Sequence, residues 1–375
     1  MASTLRLVLP AFIAGKLVSL LAPMLAVWNQ AAAPGHPTYA ELLSPFGGWD
    51  GDSYKMIAEH GYPSGPLDLA LSHPGHLWAF FPGYPMLVRA AMVFFPDATT
   101  AGVIVNSLGE LIALLFLARL ALQELSGDTE SARFSVWLLA VYPYAVFLTA
   151  VYTEGPFLAA AVASLFYMRR GDHLRACILA AVATAIRITG LALIPALLLE
   201  YLLRRRWRPR ADVLAVLLPV VSLLLFLWYA HATTGDTFAF WHAEQSASFN
   251  RFTSWPWNGL QATWDAARGG GRYSFVYAME LLFGVFGFAA VVYLVLKWRE
   301  IAPSLIVFAA AVWVLSVSYT SWLSVPRYLM SMVPLFLAGA LLTRGRPQLR
   351  TSILVVSAGW MGFVSTLFGL GVFVS

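Results

Sequence analysis

The stretch Ala101-Gly102-Val103-Ile104-Val105-Asn106-Ser107-Leu108-Gly109-Glu110-Leu111-Ile112-Ala113-Leu114-Leu115-Phe116-Leu117-Ala118-Arg119-Leu120-Ala121-Leu122 decides the class of fold. It carries only Glu110 and Arg119 as charges and exceeds the roughly 20 residues with which a helix crosses the hydrocarbon core of a bilayer. Stretches of the same kind recur at 5–28, 132–150, 155–168, 211–232, 275–296, 302–318, 328–342 and 352–374. The composition of the 375 residues agrees, with 59% hydrophobic and 11% charged, where a soluble domain carries about 25% charged residues. So few charges cannot cover a water-facing surface, and the apolar excess is read as lipid-facing. The chain is therefore expected to be an all-α, multi-pass integral membrane protein, surrounded by membrane lipids, with one membrane domain over 1–375. A disordered chain, a disulfide scaffold and a soluble enzyme with a single anchor are excluded. Cys177 is the single cysteine and can form no internal disulfide.

The net charge of +5 does not point to nucleic acid, because the cations sit in short clusters between apolar runs, as the positive-inside rule requires. With the N-terminus in the cytoplasm, Arg119, Arg133, Arg169, Arg170, Arg175, the cluster Arg204 to Arg210, Lys297, Arg299, Arg344, Arg346 and Arg350 fall on that side. Ala31, Ala32 and Ala33 resemble a signal-cleavage site, but Lys16 interrupts the preceding run, which is too long for a signal core; an uncleaved span is expected. The segment 176–200 is long enough to cross once, yet one crossing would invert the Arg204 cluster. Two short helices broken around Arg187, Thr189 and Gly190, entering and returning on the cytoplasmic side, are predicted instead. Such a break is tolerated at membrane depth only where protein or a cavity satisfies the freed backbone. Arg187 would then point into a polar interior, with Glu110 as a structural partner.

Two long outer regions remain, 29–100 and 233–274. No internal repeat, nucleotide-binding glycine loop or soluble domain is evident. The first region carries Phe46-Gly47-Gly48-Trp49-Asp50-Gly51-Asp52-Ser53-Tyr54. The glycine pair permits a sharp turn, and an aspartate held near an apolar surface has its charged form disfavoured, which suits a general base. Asp50 and Asp52 are the candidates, with ordinary turn residues as the alternative. Trp49 offers a flat face for a sugar ring. Further on, Phe80-Phe81-Pro82-Gly83-Tyr84-Pro85 precedes Arg89, which either binds a lipid phosphate or snorkels to the interface. Glu154, after Tyr152-Thr153, supports the base, contacts the acceptor or caps the helix that begins near Pro156. His73 and His76 lie in a Pro-Gly turn that suits a metal poorly; neither a metal nor a cofactor is expected. Phe238, Phe240, Trp241, His242, Glu244, Trp255, Trp257 and Trp264 of the second region read as interfacial residues.

Trp49-Asp50-Gly51-Asp52 with Tyr54, Ile57-Ala58 and Gly61-Tyr62, then Ala79-Phe80-Phe81-Pro82 with Tyr84-Pro85, resembles the PIG-V type mannosyltransferases. Tyr142-Pro143, Tyr152-Thr153-Glu154, Ala183-Thr184 with Arg187 and Thr189-Gly190, and Pro326-Arg327-Tyr328 resemble later segments of that family in the same order. The resemblance implies a GT-C glycosyltransferase in a prokaryotic cytoplasmic membrane, with its active site on the non-cytoplasmic face and a polyprenyl-phosphate sugar as donor. It places the catalytic base at Asp50, with Asp52 next in line. Arg327, Arg187 and Arg89 become candidates for the donor phosphate, and Trp49, Tyr54, Glu154, Tyr84 and Tyr328 for substrate contacts. Mannose would pass with inversion to a lipid-linked or glycan acceptor that the sequence does not define. A transporter or lipid flippase, and a transferase of another sugar, are the competing readings.

Overall fold

The structure, a computed structural model, describes residues 2–30, 36–65, 75–246, 249–271 and 273–374. The sequence expectations for Ala31 to Ala33 and for His73 fall outside these residues. The chain enters on α1 (Ala2–Gln30) and passes through α2 (Tyr39–Leu43) to α3 (Asp50–His60) and α4 (Gly83–Ala91). Next come α5 (Ala98–Glu124), α6 (Thr129–Ala140) and α7 (Glu154–Arg170). Asp97 starts α5 by accepting from the Thr100 amide at 2.8 Å, an N-cap that satisfies one of the donors a helix end leaves open. A broken pair, α8 (His173–Ile186) and α9 (Leu193–Arg204), leads to α10 (Leu218–Thr234). Two further helices, α11 (Ala239–Gln245) and α12 (Pro256–Arg268), precede α13 (Ser274–Leu296), α14 (Pro303–Val317), α15 (Val325–Leu329), α16 (Pro334–Leu342) and α17 (Pro347–Gly369).

Five helical stretches among the described residues are long and apolar enough to cross a membrane: Thr4–Gln30, Ala98–Glu124, Ala211–Thr234, Ser274–Leu296 and Pro347–Gly369. His173–Ile186 and Pro303–Val317 are shorter apolar helices beside them. The core pairs α5 with α7, α7 with α8, α1 with α17, and α8 with α10. Small residues set these distances, as expected where helices pack in lipid. A Cβ on Gly155 would come within 2.1 Å of the Asn106 carbonyl oxygen, and one on Gly109 within 2.4 Å of Gly155.

Two of the apolar stretches do not form single helices. In 132–150, α6 stops at Ala140, and Pro143 follows one turn later in a passage of turns that includes a short 3-10 helix at Ala145–Leu148. Proline lacks the amide that would continue the ladder. The passage is satisfied from neighbouring helices: Asn106 Nδ2 donates to Phe147 and Ala150 oxygens at 2.7 and 2.6 Å, and Lys16 Nζ to Leu148 oxygen at 2.7 Å. In 328–342, Pro334 similarly separates α15 from α16.

Arg187 breaks the helix pair with an extended backbone, φ −150° and ψ 139°, followed by a tight turn at Ile188–Ala192. Glu110 is not its partner. Glu110 pairs with Lys16 at 2.6 Å, both buried between α1 and α5. Each charge at that depth has the other close at hand, which is how intramembrane ionisable residues are normally accommodated.

Candidate active site

The site begins where the first outer region turns into α3. Pro45 sits in a short 3-10 turn, Ser44–Gly47, and Val151 donates its amide to Phe46 oxygen at 2.8 Å, tying this turn to the irregular passage after α6. The sharp bend itself falls on Trp49, with φ +59°, while Gly48 is extended. A bulky residue in that region is uncommon and costs conformational energy. The strain places Asp50 as the first residue of α3 and leaves Trp49 46% exposed, its indole edge-on to Phe373 at 5.2 Å.

Asp50 opens a row of four alternating charges. Arg327 Nη1 donates to Asp50 Oδ2 at 2.9 Å. Arg327 Nε stands 3.3 Å from Glu154 Oε1, an ion-pair contact whose angle falls short of a hydrogen bond. Arg187 Nη1 meets the same Glu154 oxygen at 2.5 Å and also donates to Thr153 Oγ1 at 3.1 Å. Side-chain exposure falls from 31% at Asp50 to 9% at Arg327 and 1% at Glu154, so the carboxylate of Asp50 is the open end of the row. The sequence reading placed an apolar surface behind that carboxylate; the structure places a guanidinium there. The Arg327 guanidinium lies over the rings of Phe147, Tyr152 and Tyr328 at 5.3 to 5.4 Å, within the range of cation–π attraction.

Arg327 is positioned by its own helix start. Ser324, at φ +66°, precedes α15, and the Ser324 and Val325 amides donate to the two carboxylate oxygens of Glu280 on α13 at 2.8 and 2.7 Å. A carboxylate at a helix N-terminus meets open amide donors and the positive end of the dipole.

Asp50, Arg327, Glu154 and Arg187 line a cavity of about 620 Å³ together with Asp52, Ser53, Tyr54, His76, Phe240, Glu244, Phe249, Arg251 and Tyr319. Of the sequence candidates, Trp49, Asp50, Asp52, Tyr54, Glu154, Arg187, Arg327 and Tyr328 meet on its walls. Asp52 points outward, paired with Lys55 at 2.9 Å and 64% exposed. Burial pushes the Tyr54 phenol up, with Asp50 adding to the shift. Two candidates lie elsewhere. Arg89 donates Nε to the Ala58 oxygen at 2.6 Å, clamping α4 to α3. Tyr84 is fully buried against Tyr54, with its hydroxyl on Gly102 oxygen at 3.2 Å. Among the described residues no cluster of His, Cys, Asp and Glu has the grouping a metal requires; His76 faces the Ser53 hydroxyl at 3.2 Å.

The second outer region contributes more than interfacial aromatics. Its backbone joins the segment before α15: Thr320 donates to Phe252 oxygen at 2.9 Å and Ser254 to Ser318 oxygen at 3.0 Å. That pairing brings in Arg251, which sequence reasoning did not single out, and Glu244. Arg251 stacks 3.7 Å over Tyr319 and donates Nη1 to the Tyr328 hydroxyl at 2.7 Å. The one signal in the sequence was an arginine on the side that the positive-inside rule leaves poor in cations. Burial pushes the Glu244 carboxyl up, Arg251 pulls it back, and Asp50 adds to the rise.

No protein-family model matches the chain. In sequence it is similar to GPI alpha-1,6-mannosyltransferase 2 of Cricetulus griseus, 28% identical over 193 residues, and of Homo sapiens, 28% identical over 159 residues. The matches cover 48% and 40% of this chain but only 36% and 30% of those relatives. In structure it is similar to ArnT from Cupriavidus metallidurans, solved with undecaprenyl phosphate, at a TM-score of 0.54 and 15% identity over 92% of this chain and 62% of that one. The chain is an integral membrane protein with the helical fold of ArnT, and the mannosyltransferase resemblance read from its sequence agrees with the names of the curated relatives it matches.

Proposed function

We propose that the chain is a glycosyltransferase that moves mannose from a polyprenyl-phosphate donor to a lipid-linked or glycan acceptor at the non-cytoplasmic membrane face. The observation that carries this reading is the Asp50–Arg327 contact: a carboxylate from the start of α3 and a guanidinium from α15 meet at 2.9 Å on the wall of a polar cavity. The named activity of the curated relatives and the lipid phosphate in ArnT support it.

The chemistry divides among the residues present. A sugar joined to a phosphodiester is already activated, so an acceptor hydroxyl need only be deprotonated and the departing phosphate held. Asp50 takes the proton, as the less enclosed of the two carboxylates in the row, 31% exposed against 1% for Glu154, with its Oδ1 outside the contact to Arg327. The acceptor oxygen forms a bond to the anomeric carbon while the carbon–oxygen bond to phosphate breaks, and both electrons leave with the polyprenyl phosphate. Attack opposite the leaving group inverts the centre. Arg327 and Arg187 supply fixed positive charge beside the reaction, where preorganised donors stabilise developing charge at little reorganisation cost.

The test is a transfer assay with the purified full chain, polyprenyl-phosphate mannose and a panel of lipid acceptors. Asp50→Asn should lower kcat by about 10²- to 10⁴-fold, the usual contribution of a general base, while the protein remains folded. Full turnover by the folded variant would remove Asp50 from the mechanism. The rival transporter reading is tested in the same preparation, since a carrier would move the donor across vesicles without forming a glycoside.

A further inference from the structure

Three buried polar atoms on one side of the cavity have no partner among the described residues, and the transfer chemistry above uses none of them. They are Nε and Nη2 of Arg251 and Oε2 of Glu244. The backbone keeps the two side chains near each other: the Arg251 amide donates to the Glu244 oxygen at 3.0 Å, and the neighbouring strand-like contacts anchor the segment to Thr320 and Ser318. The guanidinium is further fixed by Tyr319 beneath it and by its bond to Tyr328. Both residues line the cavity that holds Asp50, yet they form no ion pair with each other.

An enclosed donor or acceptor without a partner is costly, and native interiors leave few. What would satisfy this pair is constrained by its signs. A phosphate would meet the carboxylate, and a cation would meet the guanidinium. A hydroxyl suits both, accepting from Arg251 and donating to Glu244, and a pyranose ring presents several adjacent hydroxyls. We propose that Glu244 and Arg251 are a hydroxyl-recognition pair that reads the ring hydroxyls of a glycosyl group, carried by either the donor or the acceptor. The proposal rests on the glycosyl-transfer reading and specifies which residues select the sugar.

The experiment uses the purified full chain in lipid nanodiscs with two series of single-deoxy analogues, one of polyprenyl-phosphate mannose and one of a mannosyl-lipid acceptor. Wild type should reject one analogue by at least about 100-fold in kcat/KM, because a site built to bond a hydroxyl leaves buried polar groups unpaired without it. Glu244→Gln and Arg251→Lys should lower use of the parent ligand at least tenfold and leave that deoxy analogue unchanged, so the discrimination collapses. The series in which this occurs identifies the ring. Variants that keep the full discrimination in both series, or that lose parent and analogue equally, overturn the pair. Should wild type form no product at all, the transfer reading fails by itself. Equilibrium titration of the same ligands then decides the pair: discrimination present in wild type and lost in both variants supports it, and equal binding of parent and analogues overturns it.

Discussion

Replacing Glu154 by glutamine tests whether the buried row of charges is balanced as drawn. Glu154 is 1% exposed, and one of its oxygens contacts Arg187 at 2.5 Å and Arg327 at 3.3 Å. Arg327 also holds Asp50, but Glu154 is the only carboxylate that Arg187 meets among the described residues. Glutamine keeps the size of the side chain and one carbonyl acceptor while removing the charge, so the Arg187 guanidinium is left enclosed and uncompensated. Breaking a buried pair from one side costs about 3–5 kcal/mol, and the retained amide acceptor returns about 1 kcal/mol. The expected loss is therefore about 2–4 kcal/mol, read from denaturant unfolding of the purified protein in micelles by circular dichroism. Adding Arg187→Gln removes the stranded cation, and the double variant should recover at least about 1 kcal/mol, a coupling within the range seen for contacting residues. A single variant within about 0.5 kcal/mol of wild type, the spread of ordinary surface changes, would refute the balance. So would strictly additive losses in the double variant.

Other consequences are as direct. Glu280→Ala removes the carboxylate that accepts from the Ser324 and Val325 amides; donor KM should rise, with partial return in Glu280→Gln, and an unchanged KM would detach Glu280 from the placement of Arg327. Gly155→Ala forces a Cβ toward the Asn106 oxygen at 2.1 Å, and overpacking of this kind costs about 1–3 kcal/mol or more, visible as a lower thermal midpoint; an unchanged midpoint would show that α5 and α7 can separate. Glu244 gives a pH signature. Its folded carboxyl sits above the ordinary value of 4.5, so its protonated form favours folding, an effect complete below that value and lost as pH rises through the folded one. The stability difference between wild type and Glu244→Gln should change across that window and be flat above it, and a difference flat from pH 4 to 8 would exclude the shift.

The fold was legible because lipid imposes a coarse rule: apolar length suffices to place α1, α5, α10, α13 and α17. The same rule misread 132–150 and 328–342 as continuous, since hydropathy cannot see that Pro143 and Pro334 divide them. Nor can it see that Asn106 and Lys16 satisfy the carbonyls freed after Ala140. The polar side chains of the spans therefore belong to packing as much as to chemistry, which is why pairing Glu110 with Arg187 from depth alone failed.

The candidate site was legible in proportion to how much of its geometry is local. Asp50 and Trp49 share one turn, and Arg327 and Tyr328 share one short helix, so a short motif carries each pair. Arg89 and Tyr84 sit in a motif of the same apparent quality, yet they serve the joint between α3 and α4 and the packing of Tyr54; local pattern does not distinguish a residue that faces the cavity from one that braces it. Arg251 shows the opposite limit. Its environment comes from Tyr319 and Tyr328, far along the chain, and from backbone pairing between two irregular segments. No periodicity announces such pairing. An arginine buried beside two tyrosines on a cavity wall has no lipid-facing reason to be there, so its place is best explained by what the cavity binds.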